Sequence, residues 1–313
     1  MSSYSDADLL EARLAAPPRP GRWISAAITL LLAAMLAHSL LTNDRFQWNV
    51  VGQYFTSSSI VGGLELTLWL TAATMSAGFV LGVVLAYVRL WGSPIPRSFA
   101  FGFVWLVRSV PVLVQLLFWY ELASLYPKLS FGIPFGPSFG TTDTAHLFSG
   151  ELAAFFTLTL DVAAFSSEIV RGGILAVDRG QSEAAQALGL GRLRIFRRIV
   201  LPQAMPAIVP ATGNLLIGTL KSTSLVSVIA VVDLLYSVQL IYNANFQVVP
   251  LLLVATLWYI ILTTLLSTGQ YFVERYYARG KRRDPGPGSG LWQIARGNLT
   301  VFGRTRADLA GQA

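Results

Sequence analysis

Six long apolar stretches, each close to the length of one membrane crossing, constrain the fold of this chain more than any other feature. A helix rises about 1.5 Å per residue, so roughly 20 apolar residues are needed to cross a hydrocarbon core about 30 Å thick. Such stretches lie at residues 24–41, 61–88, 98–120, 150–170, 203–220 and 250–271. The sequence therefore predicts a helical integral membrane protein with six spans.

The composition agrees with a chain that uses lipid as part of its solvent. Hydrophobic residues make up 54% of the sequence and charged residues only 12%, which is about half the charged fraction of a soluble domain. The formal charge of +7 does not indicate nucleic acid binding, because the basic residues lie in short runs between apolar stretches. The absence of cysteine and the presence of only two histidines exclude disulfide frameworks and ordinary zinc sites.

The distribution of basic residues predicts the orientation of the spans. If the N-terminus is cytoplasmic, all of the 23 basic residues lie on the cytoplasmic side except Arg45, Arg108, Lys128 and Lys221, as the positive-inside rule requires. Both termini are then cytoplasmic. A seventh apolar segment, 225–241, would reverse this pattern if it crossed the membrane, so we interpret it as a helix lying partly in the external face.

The ends of the chain differ from the central region. Residues 1–23 are predicted to be a cytoplasmic N-terminal segment, and 24–42 an extra N-terminal transmembrane helix. The alternative for this helix is the apolar region of a signal peptide, since Ala34 and Ala37 form a plausible small-residue cleavage site. Residues 281–313, which contain a Pro-Gly-rich stretch, are predicted to be a flexible cytoplasmic tail.

The loop 171–201 is the longest predicted cytoplasmic loop. Residues 181–188 are strong helix formers, Asp178 or Ser182 is a candidate cap, and Gly189 is a natural helix stop. In the following segment apolar residues, expected to point inward, alternate with arginines: Leu190, Leu193, Ile195, Phe196 and Ile199 against Arg192, Arg194, Arg197 and Arg198. The loop is therefore predicted to be a short helix, a glycine bend and a basic amphipathic helix.

The same loop carries a resemblance to a known family. The pattern Glu183-Ala184-Ala185, three residues, Gly189, nine residues, Ile199, one residue, Leu201-Pro202 resembles the signature of permease subunits of ATP-binding-cassette (ABC) importers. Segments 108–116, 167–174, 180–185, 201–204 and 221–225 resemble polar amino acid permeases, and the likeness extends over about 61–280. Two departures near the presumed path, Ser109-Val110 for Gly-Thr and Phe165 for Tyr, leave the substrate open.

This resemblance implies a fold, a role for the loop and a set of partners. The expected fold is an all-α integral membrane protein with a five-helix importer-type permease core at 60–280, the extra N-terminal transmembrane helix and a cytoplasmic coupling helix. Glu183, Ala184, Ala185 and Gly189 would seat in a cleft of a separate ATPase subunit, present in two copies. An extracytoplasmic solute-binding protein and a second permease subunit, identical or similar, would complete the importer in the cytoplasmic (inner) membrane.

The chain itself is expected to bind no cofactor, metal or nucleic acid. Gly213 and Gly218 have the glycine spacing of a phosphate-binding loop, but Thr219 and Leu220 separate them from Lys221 inside an apolar span. ATP would therefore be used by the partner subunit, and this chain would be a transport subunit without its own ATPase site.

Charged residues within the spans are candidates for the translocation path. An ionised group in the membrane costs at least about 2.5 kcal/mol unless it faces a wet cavity or a partner. Arg108, Gln115, Asp161 and Glu168 are predicted to form part of a polar path for an amino acid. The alternative for these charges is an internal ion pair that holds helices together. A gradient-driven secondary amino acid transporter would also explain the spans and these charges, but it would not explain the loop signature.

Overall fold

The computed structural model describes residues 20–133 and 136–277. The predictions for the segment before Pro20 and for the tail 281–313 lie outside the described residues. The α-helices in chain order are α1 (Pro20–Thr42), α2 (Trp48–Tyr54), α3 (Ser58–Trp91), α4 (Pro94–Ser109), α5 (Val112–Tyr120), α6 (Leu122–Leu125), α7 (Thr144–Leu147), α8 (Gly150–Leu175), α9 (Arg179–Ala187), α10 (Arg192–Ile195), α11 (Leu201–Ser222), α12 (Leu234–Asn245) and α13 (Val248–Tyr277).

Within the described residues, five helical segments are long and apolar enough to cross a membrane, or six if the bent pair α4–α5 counts as one span. The predicted span 98–120 is therefore not a straight helix, because the chain direction bends by 101° between α4 and α5. Pro111 lies at this break and offers no backbone N–H, and a residue that precedes proline disfavours the helical conformation. Gln115 Nε2 donates to the carbonyl oxygens of Val107 and Val110, 2.8 Å away in each case, and so satisfies carbonyls that the break exposes.

The centre of the described fold is the close packing of α3 against α8. Gly78 and Gly82 lie at this contact: a Cβ on Gly78 would come within 2.6 Å of Val162 Cβ, and one on Gly82 within 2.5 Å of Ser166 Cβ. Ala86 continues the row and is fully buried. These small residues allow the backbones of α3 and α8 to approach closely.

The segment that competed for a seventh span is divided into short elements. A 3₁₀ helix, Thr223–Ile229, is followed by α12, whose 12 residues cover only about 18 Å. Asp233 caps α12 by accepting a hydrogen bond from the Tyr236 N–H at 2.8 Å. Its carboxyl is buried outside the candidate spans, and this burial raises its pKa to about 6.

Two features lie outside the helical core. A two-stranded antiparallel hairpin, β1 (Lys128–Gly132) with β2 (Ser138–Asp143), was not predicted, and nearly all of its residues are exposed. None of the most apolar part of the N-terminal helix α1 is buried in the described fold. The C-terminal end of α1 is linked to the start of α2 by a hydrogen bond, because the Trp48 indole N–H donates to the Leu40 carbonyl at 2.9 Å.

Candidate functional site

The loop between α8 and α11 begins with a capped helix and ends that helix with a left-handed glycine. Asp178 accepts a hydrogen bond from the Gly180 N–H at 2.8 Å, so the first of the two predicted caps is the one observed. Gly189 has a φ of +76°. The Leu190 N–H then reaches back to the Ala185 carbonyl at 3.1 Å, the long-range bond of a Schellman helix end.

The tip of this helix presents a mixed polar and apolar surface. Glu183 and Ala184 are exposed, and Leu188 is 81% exposed. Ala185 is buried at 4% exposure, because α9 packs back on the segment that follows it. The four predicted coupling residues therefore lie in two environments: Glu183 and Ala184 face outward, while Ala185 is buried and Gly189 forms the bend.

The segment after Gly189 joins the bend to the span α11. The short helix α10 continues into a π-helical turn, Phe196–Val200, and then directly into α11. Ile195 is buried, but Leu193 is 70% exposed, so the prediction that Leu193 points inward is wrong. Residues two positions apart on a helix differ by about 200° in direction, so Leu193 and Ile195 cannot face the same side.

Phe196 fixes this segment to the end of α3. Its ring meets the Trp91 ring edge-on, with centroids 5.8 Å apart. The segment from Arg192 to Val200 is therefore connected to two spans, to α11 by continuous helix and to α3 by an aromatic contact.

A second cluster of charged residues surrounds the Glu168 carboxylate on α8. Arg89 Nη1 lies 2.8 Å from Oε1, Arg171 Nη2 lies 2.7 Å from Oε2, and Arg108 Nη1 lies 3.6 Å from Oε1. These are all the ion pairs that the described residues form. One carboxylate thus joins guanidinium groups from α3, α4 and α8.

The Arg89 guanidinium is the most buried member of this cluster. Its side chain is 7% exposed, its Nη1 also lies 3.4 Å from Ser167 Oγ, and it lies over the Phe101 ring at 5.7 Å. Arg108 is 43% exposed and lies over the Phe165 ring at 5.2 Å. Phe165, which stands where tyrosine is common in the permeases that the chain resembles, therefore contacts Arg108 directly.

The structure separates the four predicted path residues into three environments. Arg108 and Glu168 belong to the ion-pair cluster. Gln115 is 8% exposed and donates both of its hydrogen bonds to backbone carbonyls at the α4–α5 break. Asp161 lies two helical turns from Glu168 on α8, is half-buried, and has no ion pair or hydrogen-bond partner among the described residues.

Two residues of the cluster were not among the predicted site residues. Arg89 was counted only as a basic residue at the end of a span, and Arg171 as the first residue of the loop. Arg171 could have been found from its position three residues after Glu168 on a helix. Arg89 could not, because its partner lies on a different helix and is distant in sequence.

The chain is similar to several known transport proteins. It is 41% identical over 84% of its length, and 82% of the other protein, to the arginine transport system permease protein of Corynebacterium glutamicum. It is 34% identical over 66% of its length, and 83% of the other protein, to the nopaline transport system permease protein of Agrobacterium fabrum. The crystal structure of an amino acid ABC transporter with histidines matches 70% of this chain and 94% of that chain, with 28% identity and a TM-score of 0.60.

A known protein family matches the part of the chain that holds the loop 171–201 and the Glu168 cluster. The match covers residues 78–279, which include Arg89, Arg108, Glu168 and the whole of the loop. The family is described as the inner membrane component of binding-protein-dependent transport systems. The chain therefore belongs to the family of binding-protein-dependent transport system inner membrane components.

Proposed function

We propose that this chain is the transmembrane subunit of an ABC importer for polar amino acids, and that arginine is the first substrate to test. The observation that carries the proposal is the capped helix α9 with its left-handed Gly189, followed by α10 and a π-helical turn that run without a break into the span α11. Such a rigid protrusion suits a protein that receives mechanical work from another subunit. The arginine and amino acid transporters that the chain resembles support the substrate class.

The energy for import comes from a separate ATPase subunit. The docking surface consists of the outward-facing Glu183, Ala184 and Leu188, while Ala185 and Gly189 keep the helix end in shape. Gly213, Gly218 and Lys221 lie inside the continuous helix α11, where they cannot form the open glycine loop that cradles phosphates. This chain therefore contributes a path and a contact surface, and its partner contributes ATP hydrolysis.

The translocation path contains a carboxylate, Asp161, that has no ion pair or hydrogen bond to any residue that the structure describes. Asp161 lies in the central part of α8, and an unpaired charge at that depth is costly unless it faces a wet cavity or a ligand. A substrate with an ammonium or guanidinium group would provide the missing positive charge. A second permease subunit would close the path opposite this face, and a solute-binding protein would deliver the substrate from outside.

The test is uptake of labelled arginine and other polar amino acids by cells that lack this chain. Cells complemented with wild type are expected to regain uptake of one or a few of these amino acids. Gly189→Asp, present at the same membrane level, is expected to abolish that uptake. Equal transport by wild type and Gly189→Asp would refute the coupling role and reopen the gradient-driven alternative.

The path assignment has a separate test in the same cells. Asp161→Asn is expected to raise the KM for a cationic amino acid about tenfold or more, since it removes a charge-assisted contact. Glu151→Gln, in the first turn of the same helix and exposed, is the matched control and is expected to leave the KM unchanged. A normal KM for Asp161→Asn at normal expression would exclude Asp161 from the path.

A further inference from the structure

A cavity lined by three arginines lies beside the Glu168 cluster, where α3 ends and α4 begins. Its volume is about 430 Å³, and it is lined by Arg89, Arg97, Ser98, Phe101 and Arg171. This volume falls within the range of small-molecule sites, about 300–1,000 Å³. The cavity lies at the arginine-rich ends of these helices, which charge asymmetry places toward the cytoplasm.

The charges around the cavity do not balance. Glu168 is the one carboxylate that forms ion pairs in the described part of the chain, and it is shared by Arg89, Arg108 and Arg171. Arg97 adds a further positive charge to the cavity wall, and its one side-chain hydrogen bond within the described residues is donated to the Gly92 carbonyl at 3.0 Å. Positive charges held together with so little compensation repel one another unless an anion lies between them.

The lining groups also have unused hydrogen-bond donors. Each guanidinium group carries five N–H donors in a planar fork that matches the oxygens of a phosphate. Arg171 directs its Nε and Nη2 to Glu168 Oε2, and Arg97 uses Nη2. Within the described residues, the other guanidinium N–H groups of Arg97 and Arg171 and the Ser98 hydroxyl have no hydrogen-bond partner, so they can donate to a ligand in the cavity.

The position of Arg89 makes this a formed site rather than a surface patch. Its side chain is only 7% exposed, and its guanidinium contacts the Glu168 carboxylate, the Ser167 hydroxyl and the Phe101 ring. A guanidinium fixed in this way loses little conformational entropy when it binds an anion.

We propose that this cavity binds a phosphate group, either the phosphodiester of an anionic lipid headgroup or free phosphate. The ligand accepts hydrogen bonds from Arg97, Arg171 and Ser98 and lies in the field of Arg89. Occupancy links the ends of α3, α4 and α8 next to the start of the coupling loop. Ile95 and Phe99 on α4 are 75% and 79% exposed, so apolar surface for acyl chains lies beside the cavity.

The experiment is a thermal-shift titration of the full chain in detergent with four probes at equal ionic strength. The probes are short-chain phosphatidylglycerol, diacylglycerol with the same chains, inorganic phosphate and chloride. Phosphatidylglycerol is expected to raise the melting temperature in a saturable way, because a ligand that binds only the native state stabilises it. Saturable stabilisation by inorganic phosphate as well identifies free phosphate as a ligand, and its absence identifies the lipid.

Variants locate the binding within the cavity. Arg97→Gln and Ser98→Ala are chosen because neither residue pairs with Glu168, and Arg97→Gln is expected to weaken phosphate binding about tenfold. Arg97→Lys retains the charge and is expected to bind more tightly than Arg97→Gln. Arg275→Gln, which removes an exposed arginine from the last turn of α13, is the control and is expected to bind as wild type does.

Three results would overturn the proposal. The first is no saturable shift with either phosphate probe. The second is an equal shift with diacylglycerol or chloride, which would show that the phosphate group is not recognised. The third is an equal loss of binding in Arg97→Gln and Arg275→Gln, which would place the binding elsewhere.

Discussion

The left-handed conformation of Gly189 allows the coupling bend to be tested by backbone strain alone. A Cβ built on Gly189 meets no atom within 4 Å, although its φ is +76°. A substitution there is therefore penalised by the backbone conformation and not by a clash. For an ordinary residue the left-handed conformation costs about 1–2 kcal/mol, which lowers the population of the native bend roughly 5- to 30-fold.

Gly191 provides a matched control two residues away. It also has no atom within 4 Å of a built Cβ, but its φ and ψ are −68° and 149°, which every residue adopts without strain. Gly189→Ala and Gly189→Val are expected to weaken binding of the ATPase subunit about five- to thirtyfold. Gly189→Asn is expected to lose less, because asparagine tolerates this conformation. Gly191→Ala and Gly191→Val are expected to bind normally.

The assay is the equilibrium dissociation constant between the purified chain in detergent and its ATPase subunit. The melting temperature of each variant is measured in parallel, to separate a local change in the loop from global unfolding. The reasoning is refuted if Gly191→Val weakens binding as much as Gly189→Val does, or if Gly189→Asn is no better than Gly189→Val.

Three further predictions concern stability, and each is measured by unfolding of the full chain. Glu168→Gln leaves three guanidinium groups without a carboxylate and is expected to lower the free energy of unfolding by about 2–3 kcal/mol. Glu121→Gln, at an exposed carboxylate, is the control and should lower it little. Equal losses in the two variants would contradict this prediction. Because burial raises the pKa of Asp233 from 3.8 to about 6, the native state holds the proton more tightly, so stability should fall as pH rises from about 4 to 6, by up to about 3 kcal/mol. Asp233→Asn keeps a capping oxygen and should remove this fall; an unchanged pH profile in the variant would contradict the assignment. Gly82→Ala should cost about 1–3 kcal/mol because the added methyl group meets α8, while Gly102→Ala, which has nothing within 4 Å, should be neutral or slightly stabilising.

Much of the fold could be predicted because lipid imposes a simple length and polarity requirement. The apolar stretches at 61–88, 150–170 and 250–271 correspond to α3, α8 and α13, although each helix extends beyond the apolar stretch. The bend at Pro111 was also visible in principle, since proline interrupts the backbone hydrogen bonds of a helix. The angle of the bend could not be predicted, because the sequence does not say which carbonyls Gln115 will satisfy.

The candidate site, like the fold, could be predicted from the sequence only in part. The shape of the loop 171–201 was predicted in part because its determinants are local: Asp178 caps the helix, and only glycine adopts the left-handed conformation at 189 without strain. The inward direction of Leu193 was predicted wrongly because apolar residues were assigned to one face without allowing for their angular spacing. The roles of Glu183, Asp161 and the other predicted site residues stay predictions until the experiments above are done.

The sequence by itself determined the membrane class, the positions of the apolar segments and the helix and glycine bend at 178–189, because each depends on neighbouring residues and on the solvent around them. Only the tertiary structure decided that Arg89, Arg108 and Arg171 meet at Glu168, and that Asp161 has no partner in the part of the chain that the structure describes. Ion pairs between helices depend on how those helices pack and rotate. The contacts of Gly78 and Gly82 with α8 set that packing, and no single segment specifies it alone.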